Sequence, residues 1–473
     1  MLTLSDVLEA LTGVRPTGTS LVISEASIDS RQVIPAALFV ALPGKRTDGH
    51  TYISEAFEMG ANLALVQHDL GSQFPVIDLR EGSIPENFIT PEEPFCLWVN
   101  DTLKALQKIA KFWRQKLDVS VIGITGSIGK STTKELAAEV LGQRFRTLKS
   151  RGNLNNEIGL PITILRLGYG HERAVLEMGF YLPGEITYLC DIAHPRIGVI
   201  TNIGPVHAER AGSLDIIAQG KAELIRALPP SPEGVAILNY DDPLVRPMAE
   251  QTEARVFYYG LNPGADLWAD HIEGLGLDGI RFQLHYGNEV LHLRVPLIGQ
   301  HSVHTALRAA AIGLVENLSW HDIVSGLQQG RNQLRLVAVH SAKGALILDD
   351  TYNSSPESAI AALNLLREMD GRKIGILGDM LELGPYEKQG HRLVGERVAQ
   401  ICDELVAVGP RTKIMIEAAK KAGMPPSVIT WFADVPAAID FLKTRLQEGD
   451  VALIKGSLGL AMSRIVTALE ESA

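Results

Sequence analysis

A chain of 473 residues is too long for one ordinary core, and two or three domains are expected. Its 46% hydrophobic and 21% charged residues supply several cores, and a net charge of −11 disfavours generic nucleic-acid binding and an anionic membrane surface. The three cysteines (Cys96, Cys190, Cys402) are far apart and form no CxxC or Cys/His cluster, which argues against disulfides and zinc and for a reducing, cytoplasmic compartment.

Residues 1–13 read as an amphipathic helix and lack the basic start and apolar core of a signal peptide. No run approaches the roughly 20 apolar residues of a membrane span. Residues 1–95 form a first block with strand-like runs at 21–24, 38–42 and 63–66 and a helix pattern over 52–60. Two polar clusters stand beside these runs. One holds Ser30 and Arg31; the other, 43–50, holds Lys45, Asp48 and His50. Cations near glycines in an acidic protein can grip a diphosphate, or simply be solvated loops.

The stretch 84–94, rich in Pro, Glu and Asn, reads as a linker, and 101–115 as an amphipathic helix. Then comes SVIGITGSIGKSTTKE (120–135): an apolar β-branched strand, a glycine turn, Lys-Ser and a helix. This is the layout of a phosphate-binding loop. Glycines let backbone N–H groups of Thr125, Gly126, Ser127 and Gly129 turn onto a polyphosphate, and the helix dipole adds positive potential. Lys130 is placed to reach the β- and γ-phosphates, and the Ser131 or Thr132 hydroxyl to hold Mg²⁺. The loop is a variant, with Ile124 where the usual first glycine stands. The plain alternative is a tight turn before a helix.

Beyond the loop, apolar runs at 174–178, 197–202, 235–239 and 256–259 alternate with helical stretches, the pattern of a mainly parallel sheet covered on both faces. Period-two alternation over 280–295, broken at Gly287-Asn288, predicts an antiparallel hairpin. Helices follow at 304–315 and 321–328. From about 331 a second doubly wound α/β unit is expected, with strands at 346–349, 373–377, 405–408 and 451–454. There is no internal repeat or low-complexity segment.

In such sheets ligands gather at the carboxyl ends of strands. Glu177, the stretch 201–207 with His207, and Asp350 with Tyr352 and Asn353 all fall there. A carboxylate and an imidazole beside a triphosphate can hold Mg²⁺. Taken singly, Glu177 reads equally as a helix-capping or solvated carboxylate, His207 as a hydrogen-bonded loop histidine, and Lys221 as a surface lysine. The turn 151–157, with Asn153, Asn155 and Asn156, suits a sugar or peptide ligand, and suits a plain turn too.

Taken together, GITGSIGKSTTKE, GNLNNEIGLP (152–161), LEMG (176–179), NIGPVHAERAGS (202–213), NYDDP (239–243), DDTYNSSP (349–356), LGDMLELG (377–384) and KGS (455–457) resemble the Mur ligases over essentially the whole chain. The stretch 29–50 is similar to the uridine-nucleotide end of that family. An Asp-Asn-Pro-Arg or Asp-Asn-Pro-Lys motif, expected of the diamino-acid-adding relatives, is absent, and LGDMLELG with GNLNNEIG points to the D-alanyl-D-alanine-adding type.

The resemblance implies three α/β domains: a small uridine-nucleotide-binding domain (1–95), a central P-loop ATPase-like domain with a mainly parallel sheet (96–330), and a C-terminal doubly wound, Rossmann-like domain (331–473). It implies an ATP- and Mg²⁺-dependent monomeric ligase joining D-alanyl-D-alanine to UDP-N-acetylmuramoyl-tripeptide through an acyl phosphate. Lys130 and Ser131 would bind ATP phosphates and Mg²⁺, with Glu177, His207 and a carbamylated Lys221 at a second Mg²⁺. Arg331 and Asp350 would contact the nucleotide. Ser30, Arg31, Lys45, Asp48 and His50 would hold the uridine diphosphate, and Asn153, Asn155 and Asn156 the muramoyl-peptide. Tyr352, Asn353, Lys455 and Ser457 would line the C-terminal side of the cleft. The family pattern His-Asn-x-x-Asn, whose asparagines help hold adenine, is replaced by Ser302 and Thr305, and the arginine after KGS by Leu458. A sister ligase for another amino acid and a non-catalytic nucleotide-binding scaffold are the competing readings.

Overall fold

The computed structural model describes residues 1–470 apart from 18, 20, 45, 46, 86, 87, 207 and 330–336. Lys45, His207 and Arg331 therefore lie outside the described residues. Three main sheets are present, together with a two-stranded antiparallel pair, Leu2–Thr3 with Val22–Ile23. The helix Leu4–Thr12 starts in a capping box between Thr3 and Asp6 and ends on Gly13 at φ 78°, satisfying backbone groups at both ends.

The first sheet is parallel, in the order Ala26–Ser27, Leu38–Val40, Leu63–Val66, Phe95–Trp98, Val76–Asp78. Its fourth strand carries it past residue 95 to Trp98. The helix Thr102–Gln115 begins at once, capped by Asp101. It is tied to this sheet by the Thr102 hydroxyl, which donates to the Ala41 carbonyl at 2.9 Å.

The central sheet has nine strands. Six run parallel, ordered Thr147–Lys149, Arg173–Glu177, Ser120–Thr125, Ile197–Ile200, Val235–Asn239, Arg255–Gly260. Leu267–Gly274 continues parallel, and the predicted hairpin, Ile280–Tyr286 with Glu289–Val295, closes the edge antiparallel. The strand Leu267–Gly274 escapes sequence reading because its alternation breaks: His271 sits at φ 47° and the register shifts between Asp270 and Glu273. Side chains on the phosphate-loop strand alternate between faces. Val121 packs with the helices Thr102–Gln115 and Leu214–Arg226; Ile122 and Ile124 pack with Lys130–Gly142 and Val303–Val315.

The third sheet runs Val337–His340, Leu346–Asp350, Asp450–Lys455, Arg372–Gly378, Glu404–Val408, Ile429–Phe432, parallel except for its first strand. Its two outer strands were not among the predicted ones; edge strands are short and half-buried and carry weak signals. No helix among the described residues is long and apolar enough to cross a membrane.

Candidate active site

The chain leaves the central strand Ser120–Thr125 for one side of the sheet and later returns to the other, so the crevice at its carboxyl end is a topological switch point. The loop there turns on Gly126 (φ 142°) and Gly129 (φ 82°). A Cβ on Gly126 would lie 1.8 Å from Thr201 Oγ1, so only glycine fits. Gly129 is the N-cap of the helix Lys130–Gly142 and brings no side chain over its first turn, an arrangement that suits a phosphate. Asn202 clamps the loop: its carbonyl accepts from Ser127 N at 2.9 Å and its Oδ1 from Ile128 N at 3.0 Å.

Lys130 Nζ donates to the carbonyls of Gly126 (2.7 Å) and Ser127 (3.2 Å). Lys221, on the helix Leu214–Arg226, comes from beneath and also donates to Gly126 O, at 3.0 Å. It is 2% exposed, so it is no surface lysine. Its helix faces the sheet, and the Phe180 ring packs on the bare Cα of Gly220 and lies 5.2 Å from Nζ. Burial, and next the charge of Lys130, push its ammonium pKa well below the ordinary lysine value.

Glu177 ends the neighbouring strand and is 2% exposed. It is neither solvated nor a helix cap. Ser131 Oγ donates to one carboxylate oxygen at 2.6 Å and Asn155 Nδ2 to the other at 2.9 Å. Lys134 stands 3.9 Å away, buried, and holds the Gly152 carbonyl at 3.0 Å. Sequence reading missed Lys134; its signal was the i,i+4 spacing from Lys130, which puts both on one helix face. The Glu177 carboxylate and the Ser131 hydroxyl are oxygen donors with the chemistry of a hard-cation site and fit Mg²⁺.

The asparagine turn divides. Asn155 joins the site, whereas Asn156 Oδ1 accepts from Gly159 N at 2.9 Å at the start of the helix Gly159–Leu165, and Asn153 is exposed. Asn156 also borders a separate cavity of about 360 Å³ with Tyr181 and Tyr188.

Across the crevice, the third sheet presents Asp350, Tyr352, Asn353 and Lys455. With Gly129, Lys130, Thr132, Asn202 and Arg308 they line a cleft of about 380 Å³. Buried Lys455 pairs with Asp350 at 2.6 Å and donates to Asn353 O at 2.8 Å. Ser457 sits behind the cleft, its Oγ accepting from Leu381 N at 2.8 Å, and Leu458 is exposed. Ser302 Oγ donates to Ile298 O at 2.7 Å, and Thr305 Oγ1 accepts from Arg308.

Ser30 and Arg31, and Asp48 and His50, lie at two 3₁₀ turns, Ser30–Gln32 and Gly49–Tyr52, beside the first sheet. Ser30 Oγ donates to Glu55 at 2.7 Å, and exposed Arg31 forks onto Asp29 at 2.8 and 2.9 Å. His50 Nδ1 meets Asp48 at 2.6 Å while its Nε2 accepts from Gln67 N at 3.0 Å. That places the ring proton on Nδ1. Asp48, His50 and His68 lie close enough to ligate a metal, but His50 has no lone pair left for one.

Three family models match in succession: "Mur ligase family, catalytic domain" over residues 22–114, "Mur ligase middle domain" over 124–313, and "Mur ligase, glutamate ligase domain" over 334–458. A UDP-N-acetylmuramoyl-tripeptide–D-alanyl-D-alanine ligase of Synechocystis sp. is 36% identical, covering 94% of this chain and 92% of its own. The Bacillus subtilis ligase of the same name is 33% identical over 99% and 98%. Among solved structures, MurF from Acinetobacter baumannii superposes with a TM-score of 0.81 at 31% identity, covering 99% and 98%. The Thermotoga maritima MurF ligase, solved with ADP, gives 0.77 at 26% identity, covering 96% and 99%. With the phosphate loop, the buried lysine and carboxylate, and identity sustained across all three sheets, the chain belongs to the Mur ligase family.

Proposed function

We propose that this chain joins D-alanyl-D-alanine to UDP-N-acetylmuramoyl-tripeptide, using ATP, in peptidoglycan precursor synthesis. The observation that carries the reading is the convergence of Lys130, Lys221, Ser131 and Glu177 around one glycine loop at the mouth of the cleft, in a chain a third identical to ligases of that name over nearly its full length. The tripeptide carboxylate attacks the γ-phosphorus, ADP leaves, and an acyl phosphate results. The dipeptide amine then attacks the carbonyl, loses a proton, and the tetrahedral intermediate expels phosphate.

Lys130 swings from Gly126 O onto the phosphates and holds the charge that grows on their oxygens. Ser131 would hold one Mg²⁺, and Glu177 with His207, which lies outside the described residues, a second; when bound they would neutralise charge at the phosphoryl group. Burial pushes the Lys221 ammonium pKa well below the ordinary lysine value, which favours the neutral amine, the form that adds CO₂ to give a carbamate and a proton; the carbamate would turn this lysine into an anionic ligand. Asp350 takes the ribose, with Arg331 beside it. Asn155 orients the muramoyl-peptide. Ser30, Arg31, Lys45, Asp48 and His50 serve the uridine diphosphate. Tyr352, Asn353 and Lys455 close the cleft and keep water from the acyl phosphate. The three domains follow the boundaries near 95 and 330. We read the chain as a monomer, and three free buried cysteines suit a cytoplasmic home.

Phosphate release from ATP tests this, omitting each co-substrate in turn. Release needing both, with a pentapeptide product by mass, is expected. Release only with a different amine moves the chain to a sister ligase; ADP binding without any release makes it a non-catalytic relative.

A further inference from the structure

Arg308 is the cleft residue that neither the phosphate loop nor the metal cluster accounts for. It lies on the helix Val303–Val315, is 4% exposed, and lines the cleft beside Gly129 and Thr132. Its Nε donates to Thr133 Oγ1 at 2.7 Å, Nη2 to Thr305 Oγ1 at 2.8 Å, and Nη1 reaches the Tyr259 hydroxyl at 3.4 Å. All three partners are neutral hydroxyls. Among the described residues no carboxylate pairs with this guanidinium. A buried cation without a counter-charge is costly to keep desolvated. Three of its five N–H groups are used, which leaves one donor on each terminal nitrogen, the fork that recognises two oxygens of a phosphate.

Its position selects which phosphate. Nη2 lies 2.9 Å from where a Cβ on Gly129 would stand, at the cap of the phosphate-loop helix. Its Thr305 partner lies one turn back on the same helix and also lines the cleft, in the turn where Ser302 and Thr305 stand in place of the two asparagines that the family resemblance assigns to adenine. The guanidinium thus links the cap of the phosphate-loop helix to that turn. Lys130, one step further along the loop, serves the β- and γ-phosphates.

We propose that Arg308 is a nucleotide-binding residue whose guanidinium takes the α-phosphate of ATP and supplies, by charge, affinity that the two hydroxyl side chains do not. The inference rests on the cleft being the ATP site. Thr305 and Thr133 then act as positioning residues, holding the planar fork in a single rotamer.

The test is calorimetric titration of ADP and of adenosine into the full chain, comparing wild type with Arg308→Met and Arg308→Gln. The glutamine variant keeps a polar NH₂ group for the threonine hydroxyls and removes both the charge and the free fork, so it decides the matter if the methionine variant does not fold. ADP affinity is expected to fall about ten- to a hundredfold in the variants, the worth of charge-assisted bonds, and adenosine affinity to change by less than about twofold. The KM for ATP should rise by the same factor as ADP affinity falls, with the KM values of the other two substrates unmoved. Wild-type ADP affinity in Arg308→Gln, or an equal loss for adenosine, would overturn the assignment while leaving the ligase reading intact. Failure of the wild type to bind ADP at all would overturn both.

Discussion

Lys130 and Lys221 donate to one and the same oxygen, the carbonyl of Gly126, at 2.7 and 3.0 Å. Burial first, and then the repulsion between two ammonium groups on a single buried carbonyl, push the pKa of the deeper one, Lys221, well below the ordinary lysine value. A neutral Lys221 is the form that reacts with CO₂. Lys221→Ala should therefore lose at least about a hundredfold in kcat, a loss comparable to removing one electrostatic stabiliser. Added short carboxylic acids should restore part of it by occupying the vacated anionic position. Full activity in Lys221→Ala would dismiss the carbamate.

The same residue links stability to pH. Its folded-state pKa lies below the value of a free lysine, so between the two the unfolded chain binds a proton that the folded chain does not. Stability then rises with pH across that window and is lowest below the folded pKa. In CO₂-free buffer, Lys221→Met should melt higher than wild type near neutrality, with the gap closing as pH approaches about 10. A gap that widens with pH would contradict a depressed pKa.

Lys130→Ala should fold normally, since the bonds from Lys130 to the Gly126 and Ser127 carbonyls lie within the loop itself. Its kcat should fall by about two to three orders of magnitude or more. Circular dichroism and phosphate release together check this; a normal rate removes the phosphate-loop assignment.

Gly126→Ala should fail at the same step for a different reason. The added methyl would meet Thr201 Oγ1 at 1.8 Å, on backbone at φ 142°. A stability loss of about 1–3 kcal/mol is expected, the scale of a strained backbone position, read as a lowered Tm together with weaker ADP binding.

Asp350→Asn would take the negative counter-charge, now 2.6 Å away, from the buried Lys455 ammonium. Unfolding in urea should show a loss of about 2 kcal/mol or more, and the KM for ATP should rise. Unchanged stability would mean that Lys455 finds another acceptor at once.

Much of this was legible before any coordinates. The strand Ser120–Thr125 and its glycine turn announce themselves because strand, loop and helix signals adjoin, and the hairpin 280–295 because its alternation is clean. What residues read singly do not show depends on the third dimension. Lys221 by itself reads as a surface residue, since nothing local says that Gly220 lets Phe180 pack over its helix; only the family resemblance made it a site residue. Asn153 and Asn156 look like Asn155, and only the tertiary position of Glu177 separates the one that enters the site. Arg308 carries no motif at all; its meaning comes from the cap of another helix.

The loop after the strand Ile197–Ile200 is gripped at two points. Asn202 holds the phosphate loop, and seven residues on, Glu209 N donates to Glu382 O at 3.3 Å while Gly384 packs against the Glu209 backbone. One short segment thus spans the nucleotide cradle and the third sheet. The brace of the cradle and one wall of the cleft therefore come from the same third sheet.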